Sequence, residues 1–303
     1  MPTVLIAGGS GLVGSRLTTL LQAKGYRVSH LSRRADPGAA VPRYAWDLDR
    51  QSIDAEAVAE ADYVINLAGA GIADRLWSKS RKQLIIDSRV KGNELLNRVF
   101  QDLDTPPKAY LSASAVGYYG HTGERTAAET AEPGQGFLTD SVLEWEKAIE
   151  PIAQSGMRTV VFRIGIVLST RGGALQKMLP SYMVNVGAYF GNGRQYYSWI
   201  HLDDLCRMFI EALERETYRG TYNAVGPQPA TVEQIARTIA KAMDKRALIV
   251  PAPAPALRLA MGEMADMLLF STRVSSEKIE KLGFQFQFPE LEGALRDLLQ
   301  RKI

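Results

Sequence analysis

Cysteine is almost absent: Cys206 stands alone among 303 residues, so no disulfide can form within the chain. A single thiol fits a cytosolic setting, and Cys206 itself reads as a small buried group on a helix. Histidine is nearly as scarce. His30, His121 and His201 lack the Cys/His spacing of a zinc site, and no metal is expected. Charge of one sign is missing too. The net charge is only +3, and the Lys and Arg residues are scattered, without the basic block that a nucleic-acid or membrane partner needs. No uninterrupted apolar run reaches bilayer length; the most apolar late stretch, 247–257, is broken by Pro251, Pro253 and Pro255. No signal peptide is expected, since Met1 leads straight into a strand. What remains has the balance of an ordinary globular protein, 46% hydrophobic and 23% charged, long enough for one large domain or two lobes.

The chain is organised around residues 3–14. Val4 to Ala7 reads as a strand buried on both faces. Gly8, Gly11 and Gly14 follow at intervals of three, and a helix from Ser15 to Lys24 carries Leu17, Leu20 and Leu21 on one face. Strand, glycine turn and helix are what a dinucleotide pyrophosphate requires. Glycine lets the backbone approach the phosphates, and the helix start, with Leu12 and Val13, receives their charge. A second strand, Tyr26 to Ser32, ends in Ser32-Arg33-Arg34, where an NAD site usually places a ribose-binding carboxylate. A guanidinium pairs instead with a 2′-phosphate, so NADP is the expected cofactor.

Further strands are expected at 46–48, 62–69, 108–114 and 158–168, with helices at 77–103 and 142–153 between them. Asp47 either bonds the adenine amino group or caps the next segment. Strand and helix alternate up to Leu168, which predicts an α/β fold with a Rossmann-type, doubly wound parallel sheet. After Leu168 come glycine loops around a short helix at 175–184, an extended 195–202, a helix opened by Asp203-Asp204, a strand at 220–225, and a helix from Thr231 to Met243. Gln234 lies three residues after Thr231, the spacing of a capping box. The expected division is a cofactor-binding domain at 1–168, with 198–226 returning to it, and a smaller α/β substrate lobe at 169–197 and 227–303. No internal repeat is visible.

The chain resembles the atypical extended short-chain dehydrogenase/reductases, and within them the epimerase family proteins with a DUF1731 C-terminal region. The resemblance covers nearly the whole chain. It rests on Gly8-x-x-Gly11-x-x-Gly14, Asn66-Leu67-Ala68-Gly69, Ser112 to Gly120, Arg163 to Leu168, Gly172 to Leu175, Ser198 to Asp204, Met261-Gly262-Glu263 and Gly283-Phe284. It implies that NADP is held by the glycine turn, by Leu67, Ala68 and Gly69, and by Arg163, and that the C-terminal lobe closes over a small polar or nucleotide-linked substrate.

One departure bears on mechanism. The superfamily works with a Tyr-x-x-x-Lys pair on the helix after the fifth strand, yet no tyrosine in this chain has a lysine four residues later. Where that helix begins the chain reads Phe137 to Leu143, with apolar or small residues in the matching slots. Ser114 matches the superfamily's catalytic serine, and Tyr118 and Tyr119 are the other hydroxyl donors near the expected nicotinamide. The expected activity is that of an oxidoreductase or epimerase/dehydratase, with Ser114, Tyr118 and Tyr119 as candidate catalytic residues. The alternative is a sensor or partner-binding module that holds NADP without turnover. The substrate should lie among 70–73, 114–119, 163–167 and 195–201, beyond the strands' carboxyl ends. Substrate, reaction direction and oligomeric state stay open at this level.

Overall fold

The structure, a computed structural model, describes residues 1–300. Strand β1 (Thr3–Ala7) enters the middle of a sheet with Val4, Leu5, Ile6 and Ala7 fully buried. Helix α1 (Leu12–Ala23), β2 (Arg27–Ser32), β3 (Arg43–Asp47), the two-residue β4 (Ser52–Ile53) and α2 (Ala55–Ala59) carry the chain to one edge. It then returns past β1 through β5 (Tyr63–Asn66), α3 (Lys79–Asp102), β6 (Ala109–Ala115), α4 (Phe137–Gln154) and β7 (Arg158–Ile164). The strand order reverses between β1 and β5, which creates a crevice at the carboxyl ends.

The sixth expected strand, 158–168, is in fact two. Strand β7 stops at Ile164, and β8 (Ile166–Leu168) leaves the sheet. Gly165 makes the break: a Cβ there would lie 2.3 Å from the Ser198 carbonyl oxygen, so the crossing chain fits only against glycine. Beyond it come α5 (Gly173–Met183), β9 (Val186–Phe190), β10 (Tyr196–Tyr197), β11 (Trp199–His201) and α6 (Leu202–Glu214). Strand β12 (Gly220–Ala224) rejoins the main sheet beside β7. Eight strands then lie in the order β12-β7-β6-β5-β1-β2-β3-β4, all parallel except β4 on β3. This is a Rossmann-like doubly wound fold.

The rest is β13 (Ala230–Thr231), α7 (Val232–Ala242), β14 (Leu248–Ala252), α8 (Ala254–Met261), α9 (Asp266–Leu269), α10 (Glu277–Lys281) and α11 (Leu291–Gln300). Thr231 and Gln234 do form the capping box of α7. Strand β9, which pairs in parallel with β14, has no counterpart among the expected elements. Its Val-Gly-Ala-Tyr-Phe run is too short and too broken by glycine to show a period. One core joins α1 and α6 to one face of the main sheet, and a second joins α3 and α4 to the other. A third, around Trp199, Tyr182 and Ile239, packs α5, α7 and α11 together. Among the described residues no helix is long and apolar enough to cross a membrane.

Candidate functional site

The turn after β1 is held by a bond from the Gly11 amide to the Gly8 carbonyl (3.0 Å). Helix α1 starts at Gly11 without a side-chain cap, so the amides of Leu12, Val13 and Gly14 open its first turn with no side-chain acceptor. A Cβ on Gly14 would lie 2.4 Å from the Gly8 carbonyl oxygen, so helix and loop pack at backbone distance. Such a bare, close-packed helix start suits a pyrophosphate. At the end of β2, Arg33 and Arg34 are exposed and, among the described residues, form no ion pair; the Arg34 amide bonds the Ser32 hydroxyl at 3.4 Å. Asp47 caps the turn that follows β3. It accepts the amides of Asp49 (2.9 Å) and Arg50 (3.0 Å), bonds that hold its pKa below the usual carboxylate value. After β5, Leu67 and Ala68 are half-buried and Gly69 is exposed; Asn66 turns the chain by accepting the Ala68 amide at 3.1 Å.

Across three neighbouring strands the parallel register places Ser114, Arg163 and Asn223 side by side. Arg163 lies in a run of apolar strand residues and is 5% exposed, so its charge demands a partner. Glu146 on α4 supplies it bidentately, through Nε (2.8 Å) and Nη2 (2.7 Å), and the Ser114 hydroxyl donates to the same carboxylate at 2.5 Å. Burial opposes the guanidinium's charge, but the hydrogen bonds and charge of Glu146 outweigh it and hold the Arg163 pKa above normal. Arg163 Nη1 donates to the Tyr119 hydroxyl (3.0 Å), which in turn donates to Asn223 (2.6 Å). The Tyr118 ring lies 3.3 Å below the guanidinium.

This arrangement engages two of the three expected catalytic hydroxyls in bonds within the protein. Ser114 and Tyr119 are each 2% exposed, with their hydroxyl protons committed inside the network. Burial pushes the Tyr119 pKa up to about 12, against the partial relief given by Arg163, so it is no base at neutral pH. Arg163 likewise spends its charge on Glu146. These residues hold the turn after β6 in place. Glu146 itself escapes sequence reading, being one of several glutamates on an ordinary amphipathic helix. The buried arginine of β7 was the one signal that such a partner must exist.

Beside the turn after β6 is a cavity of about 190 Å³. It is lined by Ile72, by Ala115, Val116 and Gly117, by Ile166, and by Tyr197 and Ser198, so each of the four expected segments contributes. Three further contributions were not foreseen, the first being Arg89 from α3. Helix α4 adds Leu138, Ser141, Val142 and Trp145, and the segment around α9 adds Asp266, Met267, Phe270 and Thr272. Leu138 and Val142 are four apart, one helical turn, and present an apolar pair to the cavity. Hollows of about 570 and 600 Å³ occur elsewhere, between the outer faces of α3 and α4 and at the amino ends of β6 and β7. Neither lies at the carboxyl ends of the strands, where ligands of such sheets sit.

The remaining polar candidates are structural. His30 bonds Thr18 (2.8 Å), His121 accepts the Ser271 amide (2.9 Å), and His201 accepts the Asp203 amide (3.0 Å) while pairing with Asp297 (3.2 Å). Asp203 pairs with Arg16, and Asp204 receives the amides of Gln287 and Phe288, each at 2.9 Å. Cys206 is fully buried in α6.

A family model described as the NAD dependent epimerase/dehydratase family matches residues 4–225, and one described as a domain of unknown function, DUF1731, matches 252–298. An epimerase family protein of Mycobacterium bovis is 38% identical over 293 residues, 96% of each chain. The crystal structure of the human epimerase family protein SDR39U1 with NADPH superposes with a TM-score of 0.89 at 31% identity, covering 99% of this chain and 100% of that one. A nucleoside-diphosphate sugar epimerase from Corynebacterium glutamicum gives 0.81 at 30% identity, over 99% of this chain and 58% of the other. Glycine turn, reversed strand order and matched length agree, and the chain belongs to the NAD dependent epimerase/dehydratase family, with a DUF1731 C-terminal region.

Proposed function

We propose that the protein binds NADPH in preference to NADH and moves hydride between it and a small molecule held in the 190 Å³ cavity. It would act as an oxidoreductase or epimerase/dehydratase, in a cytosolic setting. The observation that carries this reading is Arg33-Arg34 at the end of β2, exposed and without an ion pair among the described residues, in place of a ribose-binding carboxylate. That the human relative's structure holds NADPH supports it. In this reading the cofactor lies on Gly8 to Gly14, with Ser32, Arg33 and Arg34 at its 2′-phosphate and Leu67 to Gly69 beside it. Residues 1–168 and 198–226 form the cofactor-binding domain and also give most of the cavity wall; 169–197 and 227–303 form the substrate lobe, which closes the cavity with Tyr197, Asp266, Met267, Phe270 and Thr272. Bound NADPH supplies hydride, while the chain orients the acceptor and excludes water. Ser114, Tyr118 and Tyr119 enter as positioning residues that fix the Ala115 to Gly117 wall through Glu146 and Arg163. One observation favours binding without turnover: the hydroxyls of Ser114 and Tyr119 are spent inside the network.

Charge-assisted hydrogen bonds contribute about 1.5–3 kcal/mol each. Arg33→Ala should therefore weaken NADPH binding by more than about tenfold and leave NADH nearly unchanged. Titration of intrinsic fluorescence decides it, and an equal loss for both cofactors rejects the assignment.

A further inference from the structure

The cavity walls are poor in free hydrogen-bonding groups. Val116, Leu138, Val142, Trp145, Ile166 and Phe270 make them mostly apolar. Four hydroxyls also line the space, but each donates to a backbone carbonyl: Ser141 to Leu138 (2.8 Å), Tyr197 to Leu268 (2.8 Å), Ser198 to Thr272 (2.9 Å) and Thr272 to Gly120 (2.9 Å). Asp266 also lines the space; its Oδ1 lies 3.1 Å from Arg258 Nη1 but is buried without a hydrogen bond, so an anion must enter on the side of the cavity away from it. A sugar ring brings several hydroxyls that lose their water on entry, and a wall of this kind leaves them unsatisfied.

Arg89 is the cation among the lining residues. It reaches the cavity from α3, with its guanidinium 4.8 Å over the Trp145 ring and packed against Gly69, where a Cβ would come within 3.1 Å of Cζ. Nη1 donates to the carbonyls of Ile85 (2.8 Å) and Ala70 (3.2 Å), which fixes the fork. A guanidinium has five N–H groups, so those on Nε and Nη2 remain. Among the described residues no carboxylate pairs with Arg89. Burial, with the charge of Arg81 two turns earlier on the same helix, lowers its pKa to about 10. Arg81 Nε is itself buried without a hydrogen-bond partner, as is Trp145 Nε1 in the cavity wall. A cation so placed is costly to hold, and an anion entering the cavity relieves the cost.

We infer that this cavity accepts a small, largely apolar molecule bearing one carboxylate or phosphate, and that Arg89 receives the anionic group through its free Nε and Nη2 edge. The inference deepens the cofactor-dependent reading, resting on it only in making this molecule the substrate. It sets the chain apart from enzymes that act on sugar nucleotides.

The test uses benzoate, phenyl phosphate and neutral benzamide as probes, with binding to the NADPH-loaded protein followed by cofactor fluorescence and melting temperature. At least one anion should bind about tenfold or more tightly than benzamide, and the better of the two identifies carboxylate or phosphate as the preferred group. Arg89→Met should abolish that preference and Arg89→Lys keep part of it, while NADPH affinity changes by less than about threefold in both. The wild-type comparison needs no variant, so a misfolded Arg89→Met still leaves a decision. Equal binding of all three probes, no binding of any at millimolar concentration, or a preference that survives Arg89→Met overturns the inference. So does an equal loss of NADPH and probe, which would assign Arg89 to the cofactor. If the wild type fails to bind NADPH, the cofactor reading falls; anion preference measured on the cofactor-free protein still decides this one.

Discussion

Replacing Glu146 by alanine should be among the most damaging single changes in the molecule. Its carboxylate receives the Ser114 hydroxyl and two nitrogens of Arg163, at 2.5, 2.8 and 2.7 Å. The Arg163 side chain is 6% exposed and that of Glu146 16%, so water screens the pair weakly. With Glu146 gone, the guanidinium keeps no carboxylate among the described residues, only the Tyr119 hydroxyl, a long contact to the Glu129 carbonyl at 3.4 Å and the face of the Tyr118 ring. Removing one member of a buried pair leaves an uncompensated charge and costs about 3–5 kcal/mol. A domain of this size loses roughly 2–4 °C per kcal/mol, so the melting temperature should fall by roughly 6–20 °C. Removing both charges avoids the penalty. Glu146→Leu combined with Arg163→Met should recover to within about 2 kcal/mol of wild type, because apolar replacements of similar volume are tolerated at such sites. Urea and thermal denaturation of the singles and the double give the cycle. A loss under about 1 kcal/mol for Glu146→Ala, or a double variant no better than the single, would refute the reasoning.

Gly14→Ala should weaken NADPH binding at least tenfold and lower stability, since its methyl would press on the Gly8 carbonyl at 2.4 Å; Gly38→Ala, with nothing within 4 Å, is the matched control in a melting and cofactor titration series. His30 gives a pH signature. Burial, then the charge of Arg43, lowers its pKa in the folded state below 6.5. The unfolded chain therefore takes up the proton first, and stability should drop as pH falls from 6.5 towards the folded-state pKa. Melting curves between neutral and acidic pH should show the slope, and His30→Gln should flatten it.

The parts of the fold that were legible are those where local chemistry and topology agree. The first strand, glycine turn and helix could be read because each residue type there has one conformational use. Thr231 with Gln234 announced its helix start for the same reason. Strand 158–168 was read as one piece because Val160, Val161, Ile164, Ile166 and Val167 are equally good strand residues on either side of Gly165. Only the Ser198 backbone pressing on Gly165 separates them, and that contact is distant in sequence. The cavity's position followed from strand ends, but its chemistry did not. That Ser114 and Tyr119 turn inward depends on Glu146, and that Arg89 turns towards the cavity depends on Ala70, Gly69 and Trp145. No spacing in the sequence encodes these meetings.

The cavity is walled by residues from Ile72 to Thr272, and this has a consequence in time. A growing chain completes β1 to β6 and α4 long before α9 exists, so three sides of the pocket stand open to solvent during synthesis. The last wall is sewn on by bonds such as Thr122 to Ser271 (2.7 Å) and Thr272 to Tyr196 (2.8 Å), each joining partners far apart along the chain. Contacts of such long sequence separation form late and slowly. A nascent chain can therefore own a finished glycine turn and helix start while the cavity still has no roof. In the proposed function, cofactor capture would then precede substrate binding, and early-docked NADPH would have that interval in which to act.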